Sequence, residues 1–312
     1  MPSPRDIRRA WRERPESYSR LVWALVLALD RLPWPWGEEI LAHAFVARAF
    51  VRTERLRRAL AWAAAHARPG RGRWLLARCL CAFHGRFVAR SALVGLRDAD
   101  ALSRLVSVRG DAHLAATRSA ILLGFHLGPA GSYLALRVAG HRLNWIGGRG
   151  ASGAWPRPIQ DLYQDPRERR FFSPDRTAWL RRLYHARQLL LAGEHVFISA
   201  DGEGQAAFTV PLPGGPVLIG AGWISLCRST GAPVLPVLAH MEGRVQVVTI
   251  HPPLPALGSE AGPDLEPCRR ALARLLADHV ERFPEQCYSL AFSTPVAALS
   301  CLPALRRTES VP

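Results

Sequence analysis

From about residue 91 of this 312-residue chain, short apolar runs alternate with amphipathic stretches of helical length. Apolar runs of four to eight residues indicate strands, and strands separated by helices form βαβ units whose strands pair in parallel. We therefore predict an α/β fold with a mixed, largely parallel sheet flanked by helices. The strands are expected at residues 120–125, 142–146, 196–200, 234–239 and 245–250, and the helices at residues 130–139, 177–192, 218–229 and 264–282.

Polar or glycine-rich segments follow the first three predicted strands. His126 comes directly after the first strand, residues 147–153 after the second, and residues 201–204 after the third. In open α/β sheets, ligands bind at the carboxyl ends of the strands. A histidine there can act as a neutral general base near physiological pH, or it can cap the next helix. Position alone leaves both roles open.

Arginine carries all of the basic charge. The formal net charge is +16, and the 41 basic residues include no lysine, which excludes mechanisms that need a Schiff-base or P-loop lysine. Residues 1–90 hold 18 arginines and 7 acidic residues, whereas residues 91–312 hold 23 and 18. This excess predicts a polyanionic partner for the first 90 residues, either an anionic membrane surface or nucleic acid. Arginine-rich faces that are merely solvated are the plainer alternative.

The same N-terminal third has the pattern of a membrane-associating region. Residues 21–29 (LVWALVLAL) are apolar, but a spanning helix needs about 20 such residues. Residues 32–36 (LPWPW) follow, and tryptophan in such a place is typical of the water–bilayer interface. Residues 43–67 and 73–90 are predicted helices with arginines among apolar residues, as in helices that lie in the headgroup layer. We expect interfacial attachment rather than a span, the alternative being a helical subdomain packed on the main body.

Four blocks of sequence resemble the bacterial lipid A biosynthesis acyltransferases, the lauroyl and myristoyl transferases of the lysophospholipid and glycerolipid acyltransferase superfamily. They lie in order within residues 119–292: AILLGFHLG, LLLAGEHVFISADGEG, FTVPLPGGPVLIGAGWISLCRSTGAPVLPV and HVERFPEQCYSLAF. The resemblance implies a glycerolipid acyltransferase-like fold. It also implies transfer of a fatty acyl group from an acyl carrier protein or coenzyme A thioester to a hydroxyl of a lipid acceptor, without a further cofactor.

The resemblance places His126 at the histidine of the family's H-x-x-x-x-[D/E] motif, where it would deprotonate the acceptor hydroxyl. The acid of that motif falls on Gly131, so the chain departs from the pattern. Three explanations stay open. Asp201 or Glu203 supplies the missing carboxylate; a backbone carbonyl or Ser132 orients the ring more weakly; or transfer activity is lost and the chain binds lipid or acyl chains.

Five residues make up the predicted site. His126 and Asp201 are predicted to be catalytic, Asp201 because it also matches a family aspartate. Arg149 stands where the family carries an arginine, and its guanidinium would hold a phosphate of the lipid or of the pantetheine arm. Ser132 and Glu203 are predicted to contact the substrate. No metal site is expected, because the cysteines lack a ligand spacing.

The predicted organisation has three parts. Residues 1–90 form a basic helical membrane-associating region, residues 91–294 an acyltransferase-like α/β domain, and residues 295–312 a loosely ordered tail. The expected partners are an anionic membrane surface, a lipid acceptor and an acyl donor; no nucleic acid is expected, because no binding module for it is recognisable. The expected location is the cytoplasmic face of the bacterial inner membrane, as a peripheral or monotopic protein.

Overall fold

The computed structural model describes residues 32, 36–67, 72–94, 103–129, 132–146, 176–201, 206–212, 215–257 and 265–293. Several of the predictions fall on residues outside these ranges. They are the apolar run at 21–29, the tail at 295–312, and the positions of Gly131, Arg149 and Glu203.

Three helices begin the described part of the chain: α1 (Trp36–Val51), α2 (Thr53–His66) and α3 (Arg73–Val94). The prediction of one helix over residues 43–67 is wrong, because the backbone of Arg52 is extended (φ −100°, ψ 90°) and separates α1 from α2. Neither glycine nor proline marks this break. Among the described helices, none is both long and apolar enough to cross a membrane.

Helices α1 and α3 pack against each other in opposite directions. Glu39 accepts two hydrogen bonds from Arg86, at 2.9 and 3.1 Å, and Phe45 lies edge-on to the ring of His84. Successive contacts thus move forward along α1 and backward along α3. The crossing is close at Gly85, where a Cβ would lie 2.5 Å from a carbonyl oxygen of α1. Any side chain at this position would push the two helices apart.

The α/β part follows in chain order. It ends with a short 3₁₀ turn (Pro284–Gln286) and a last helix. The elements are β1 (Val106–Arg109), α4 (Asp111–Ala115), β2 (Ile121–Gly124), α5 (Ser132–Val138), β3 (Asn144–Ile146), α6 (Arg176–Leu191), β4 (Val196–Ser199), β5 (Ala206–Val210), β6 (Val217–Gly220), α7 (Gly222–Thr230), β7 (Val234–Glu242), β8 (Val245–Ile250), α8 (Leu265–Arg282) and α9 (Tyr288–Ser293).

Six strands form one sheet in the order β1-β8-β7-β2-β4-β3. Strand β2 pairs in parallel with both β4 and β7, β3 pairs in parallel with β4, and β1 with β8. The consecutive strands β7 and β8 pair antiparallel. Strands β2, β3, β4 and β7 therefore end at the same edge, hereafter the carboxyl edge, while β1 and β8 end at the opposite edge. The prediction of a mixed, largely parallel sheet flanked by helices is confirmed.

Both faces of the sheet are covered, which explains why the central strands are continuous apolar runs. Ile121 and Leu123 of β2 lie in a buried cluster with side chains of α2, α3, α6, α7 and α8. Leu122 points to the other face, into a cluster with side chains of α4 and α5. Trp62 of α2 belongs to the first of these clusters, so the N-terminal helices share the core of the α/β part.

One predicted helix is replaced by a strand followed by a shorter helix. Residues 218–229 were expected to be helical throughout, but Val217–Gly220 forms β6, which pairs antiparallel with β5 in a separate two-stranded sheet. Helix α7 then runs from Gly222 to Thr230 and is capped by Gly231, whose φ of 70° suits glycine. The prediction is wrong for the first residues, because a short apolar run next to a helix has no period of its own to reveal a strand.

The segment before α9 joins the N-terminal helices to the sheet. The indole N–H of Trp62 donates to the Pro284 carbonyl at 2.9 Å. Two residues later, the Gln286 amide bonds to both backbone groups of Met241, at 2.7 and 3.1 Å. Met241 lies in β7, near its carboxyl end. Helix α2 is therefore held at the same edge of the sheet as the residues that follow β2 and β4.

Candidate active site

The register of β2 and β4 brings His126 and Asp201 together. Gly124 and Ser199, the last residues of the two strands, are paired. The two chains continue side by side, because the Ala200 N–H donates to the Gly124 carbonyl at 2.8 Å. His126 and Asp201 each lie two residues beyond the paired strand ends. Their side chains consequently meet at the carboxyl edge, where the rule for open α/β sheets places ligands.

Two hydrogen bonds join the pair. The backbone N–H of His126 donates to Oδ2 of Asp201 at 2.7 Å, and the ring Nδ1–H donates to Oδ1 at 2.8 Å. An ionised carboxylate can only accept, so the neutral ring carries its proton on Nδ1 and presents Nε2 as an acceptor. In the described part of the chain, no residue is hydrogen-bonded to Nε2.

The two side chains differ in their access to solvent. The His126 side chain is 49% exposed, whereas that of Asp201 is 10% exposed. The imidazole is therefore open to an incoming ligand, and the carboxylate lies sheltered behind it. In this arrangement, one group can exchange a proton with a substrate while the other stays fixed.

Asp201 raises the pKa of His126 above its ordinary value of 6.5. The main cause is Coulombic attraction between the carboxylate and the protonated ring; the hydrogen bond acts in the same direction, and partial burial opposes both. A raised pKa makes the imidazole a stronger base, but it also leaves more of it protonated near neutral pH. Since only the unprotonated ring can accept a proton, its function as a base is lost as the pH falls through this raised pKa.

Gly128 allows the turn after His126 to rest directly on β7. Its φ is +80°, and a Cβ there would lie 2.0 Å from the Ala239 carbonyl oxygen. The backbone N–H of Gly128 interacts with the thiol of Cys287, whose pKa is raised by complete burial. The turn therefore contacts β7 on one side and the segment before α9 on the other, and these contacts hold His126 in position.

The other three predicted site residues are Ser132, Arg149 and Glu203. Ser132 is the first residue of α5 and is only 5% exposed, so it is not open to a ligand in this conformation. Arg149 and Glu203 lie outside the described residues, as does Gly131. The structure thus brings together the two residues predicted to be catalytic, and their catalytic role stays a prediction. In the described ranges, no three His, Cys, Asp or Glu side chains are grouped as metal ligands would be.

Sequence reasoning missed the residues that support the pair. Cys287 was not singled out. The glycines beside His126 were interpreted as allowing close approach of a substrate, although a glycine two residues after a strand-end histidine, such as Gly128, is also a signal for a tight turn. Gly220 was also missed: its N–H donates to the Ala200 carbonyl at 2.7 Å. This bond brings the end of β6 and the start of α7 next to Asp201, and it depends on a hairpin that the sequence pattern did not reveal.

Comparisons with known proteins add little to this geometry. No family model matches the chain, and no curated protein matches it. Among solved structures, the chain is similar to the crystal structure of the 1-acyl-sn-glycerophosphate acyltransferase PlsC from Thermotoga maritima. The identity is 15%, the TM-score is 0.37, and the alignment covers 84% of this chain and 97% of that one. So low a TM-score carries no weight for what this chain does, and its function must be inferred from its own residues.

Proposed function

We propose that this protein is a membrane-associated acyltransferase. It would transfer a fatty acyl group from an acyl carrier protein or coenzyme A thioester to a hydroxyl of a lipid acceptor. The observation that carries the proposal is the His126–Asp201 pair: an exposed imidazole whose tautomer is set by a sheltered carboxylate, at the edge where α/β folds bind ligands. The sequence resemblance to the lipid A acyltransferases names the reaction for which such a pair would serve.

Each group has a defined part in this reaction. Nε2 of His126 accepts the proton of the acceptor hydroxyl as its oxygen attacks the thioester carbonyl. A C–O bond forms, the C–S bond breaks, and the imidazolium returns the proton to the leaving thiolate. Asp201 holds the ring in the tautomer with Nε2 free, and its negative charge stabilises the imidazolium between the two steps. No net charge or proton is left on the protein at the end of the cycle.

The sequence leaves a second function open. The chain could be a catalytically impaired homologue that only binds lipid or acyl chains. Gly131 in place of the motif acid favours it. The contact between Asp201 and the ring favours the enzyme, because a carboxylate reaching from the neighbouring strand can do what the motif acid would do. We therefore propose that Asp201 substitutes for the acid that the motif places at position 131.

The N-terminal helices support attachment to an anionic membrane, which we propose as the location of the acceptor. Because α1 and α3 are antiparallel, the end of α1 and the start of α3 lie together. Phe50 and Val51 are exposed at the first, and Trp74 and Leu75 at the second. Exposed apolar and aromatic side chains next to arginines suit the headgroup layer of an anionic bilayer. The cytoplasmic face of the bacterial inner membrane would supply such a surface.

The test is transfer of a radiolabelled acyl group from acyl-carrier-protein and coenzyme A thioesters to a panel of lysolipids. Replacing His126 with Ala should lower the rate by about 10²- to 10⁴-fold, the usual contribution of a general base. His141→Ala is a matched control, because His141 also pairs with an aspartate, Asp111 at 3.3 Å, but at the opposite edge of the sheet. Its rate should equal that of the wild type. Transfer that survives in His126→Ala would contradict the assigned base, and binding without transfer in the wild type would favour the impaired homologue.

A further inference from the structure

Helix α6 presents an apolar ridge to solvent. Leu180, Tyr184 and Leu191 are 71%, 66% and 47% exposed. With 3.6 residues per turn they fall within an arc of about 40° and extend over about 16 Å of the helix. The opposite side of α6 is buried in the core, through Ala186 and Leu190. The ridge, hereafter the α6 ridge, is therefore an outward-facing stripe on a helix that is already anchored to the sheet.

The charged side chains of α6 that flank the ridge are both arginines. Arg187 lies on one side of the stripe and Arg181 on the other, at the angles that helical geometry gives these positions. Helix α6 contains four arginines and no acidic residue. A helix with an apolar centre flanked by arginines has the composition of helices that lie at a bilayer interface. Long arginine side chains can then reach the phosphates while their stems cover apolar surface.

The α6 ridge begins at the edge of the sheet that holds His126. Strands β3 and β4 are parallel, and α6 leads into the amino end of β4 through a turn at Gly193. Its last residues thus lie at the amino edge. Since 16 residues extend about 24 Å, its first turns reach the level of the carboxyl edge. Leu180 lies in the second turn of α6 and Tyr184 near the middle of the helix, whereas Leu191 is at the far end.

We propose that the α6 ridge is a second membrane contact, which lies in the interface of an anionic bilayer and brings the carboxyl edge of the sheet to the headgroups. This deepens the proposed function, since it concerns how a membrane-embedded hydroxyl reaches His126. A bilayer is favoured over an acidic protein because the ridge is convex. Amphipathic partner helices bind in grooves, whereas protruding leucine and tyrosine side chains on an arginine-flanked helix insert readily between lipids.

The test is co-sedimentation of the purified protein with phosphatidylcholine vesicles, with and without phosphatidylglycerol. Arg181→Gln together with Arg187→Gln should weaken binding to the anionic vesicles about 25-fold, since each arginine near such a surface contributes about 1 kcal/mol, or about fivefold. Leu180→Ser together with Tyr184→Ser should weaken it at least about tenfold, because these side chains lose their apolar contact. Leu180, Tyr184 and Arg181 are exposed and Arg187 is half-buried; circular dichroism and the thermal midpoint should therefore stay close to those of the wild type.

The matched control is Arg270→Gln together with Arg274→Gln, two exposed positions on α8. It removes the same charge away from the α6 ridge, so binding should stay within about threefold of the wild type. Equal losses in both arginine pairs would overturn the proposal, because only net charge would then matter. Unchanged binding of the α6 variants to the anionic vesicles would also overturn it. The assay contains no acyl donor, so absence of transfer activity would contradict the proposed function and leave this test intact.

Discussion

Replacing Asp201 with Asn tests whether the carboxylate sets the tautomer of His126. The carboxylate accepts from two N–H groups, the backbone N–H at 2.7 Å and the ring Nδ1–H at 2.8 Å. An asparagine has one accepting oxygen and one donating NH₂. The backbone N–H can only donate, so it takes the oxygen, and the NH₂ group then faces Nδ1. The ring must respond by moving its proton to Nε2, the nitrogen that should accept the proton of the hydroxyl.

The expected loss in rate is large because, in the other tautomer, Nε2 of His126 carries a proton and cannot accept one from the hydroxyl. The equivalent aspartate-to-asparagine change in a serine protease triad lowers kcat about 10⁴-fold. At 1.36 kcal/mol per factor of ten, this is about 5.4 kcal/mol in the activation free energy. Single-turnover transfer of a labelled acyl group measures it directly, with the thermal midpoint as a check on folding. The charge change alone is controlled by Asp278→Asn, at an exposed carboxylate of α8 whose pair with Arg282 is 3.5 Å long.

Two outcomes would refute the role of Asp201 in setting the tautomer of His126. If Asp201→Asn keeps more than about a tenth of the wild-type rate, the carboxylate does not control the tautomer as required by the triad-like role. If Asp278→Asn loses as much as Asp201→Asn, the effect comes from net charge and not from the hydrogen bonds at the site.

Two further predictions follow from the same geometry. The rate of wild-type transfer should rise with pH along a limb whose midpoint lies above 6.5, because Asp201 raises the pKa of His126 and only the neutral ring accepts a proton; a midpoint below 6.5 in kcat/KM would contradict this. Gly128→Ala should destabilise the protein by about 2–3 kcal/mol more than Gly243→Ala. Both glycines have positive φ, but an added Cβ meets a β7 carbonyl at 2.0 Å only at the first and nothing within 4 Å at the second. Urea unfolding measures both, and equal losses would show that the close approach does not matter.

Much of the sheet could be predicted from the sequence because its strands are buried on both faces. All four residues of β2 are buried, and such continuous apolar runs between helices stand out. Strand β1 has no such signal: Val106–Arg109 is partly exposed along its length. It was therefore not predicted. The strand β6 was read as part of a helix for a related reason, since four residues are too few to show a period.

The positions of His126 and Asp201 could be predicted from the sequence, but their contact could not. His126 and the segment from Asp201 could be placed at the carboxyl edge, because both follow predicted strands. Their contact depends on β4 being the neighbour of β2 and on the pairing of Gly124 with Ser199. A single sequence does not contain that register, because β2 and β4 are apolar on both faces and their hydrophobic pattern favours no single pairing. The break at Arg52 was unpredictable in another way, since no glycine or proline accompanies it.

The hydrogen bond from Trp62 to Pro284 joins two residues that are synthesised at different times. The two residues are 222 positions apart. At synthesis rates of about 5 to 20 residues per second, α2 leaves the ribosome about 10 to 45 s before its partner exists. Until then the segment before α9 is not there to cover Trp62, and the sheet on which these helices pack is only partly made. Under the proposed attachment to an anionic bilayer, the membrane would cover those helices before the carboxyl edge of the sheet around His126 is complete.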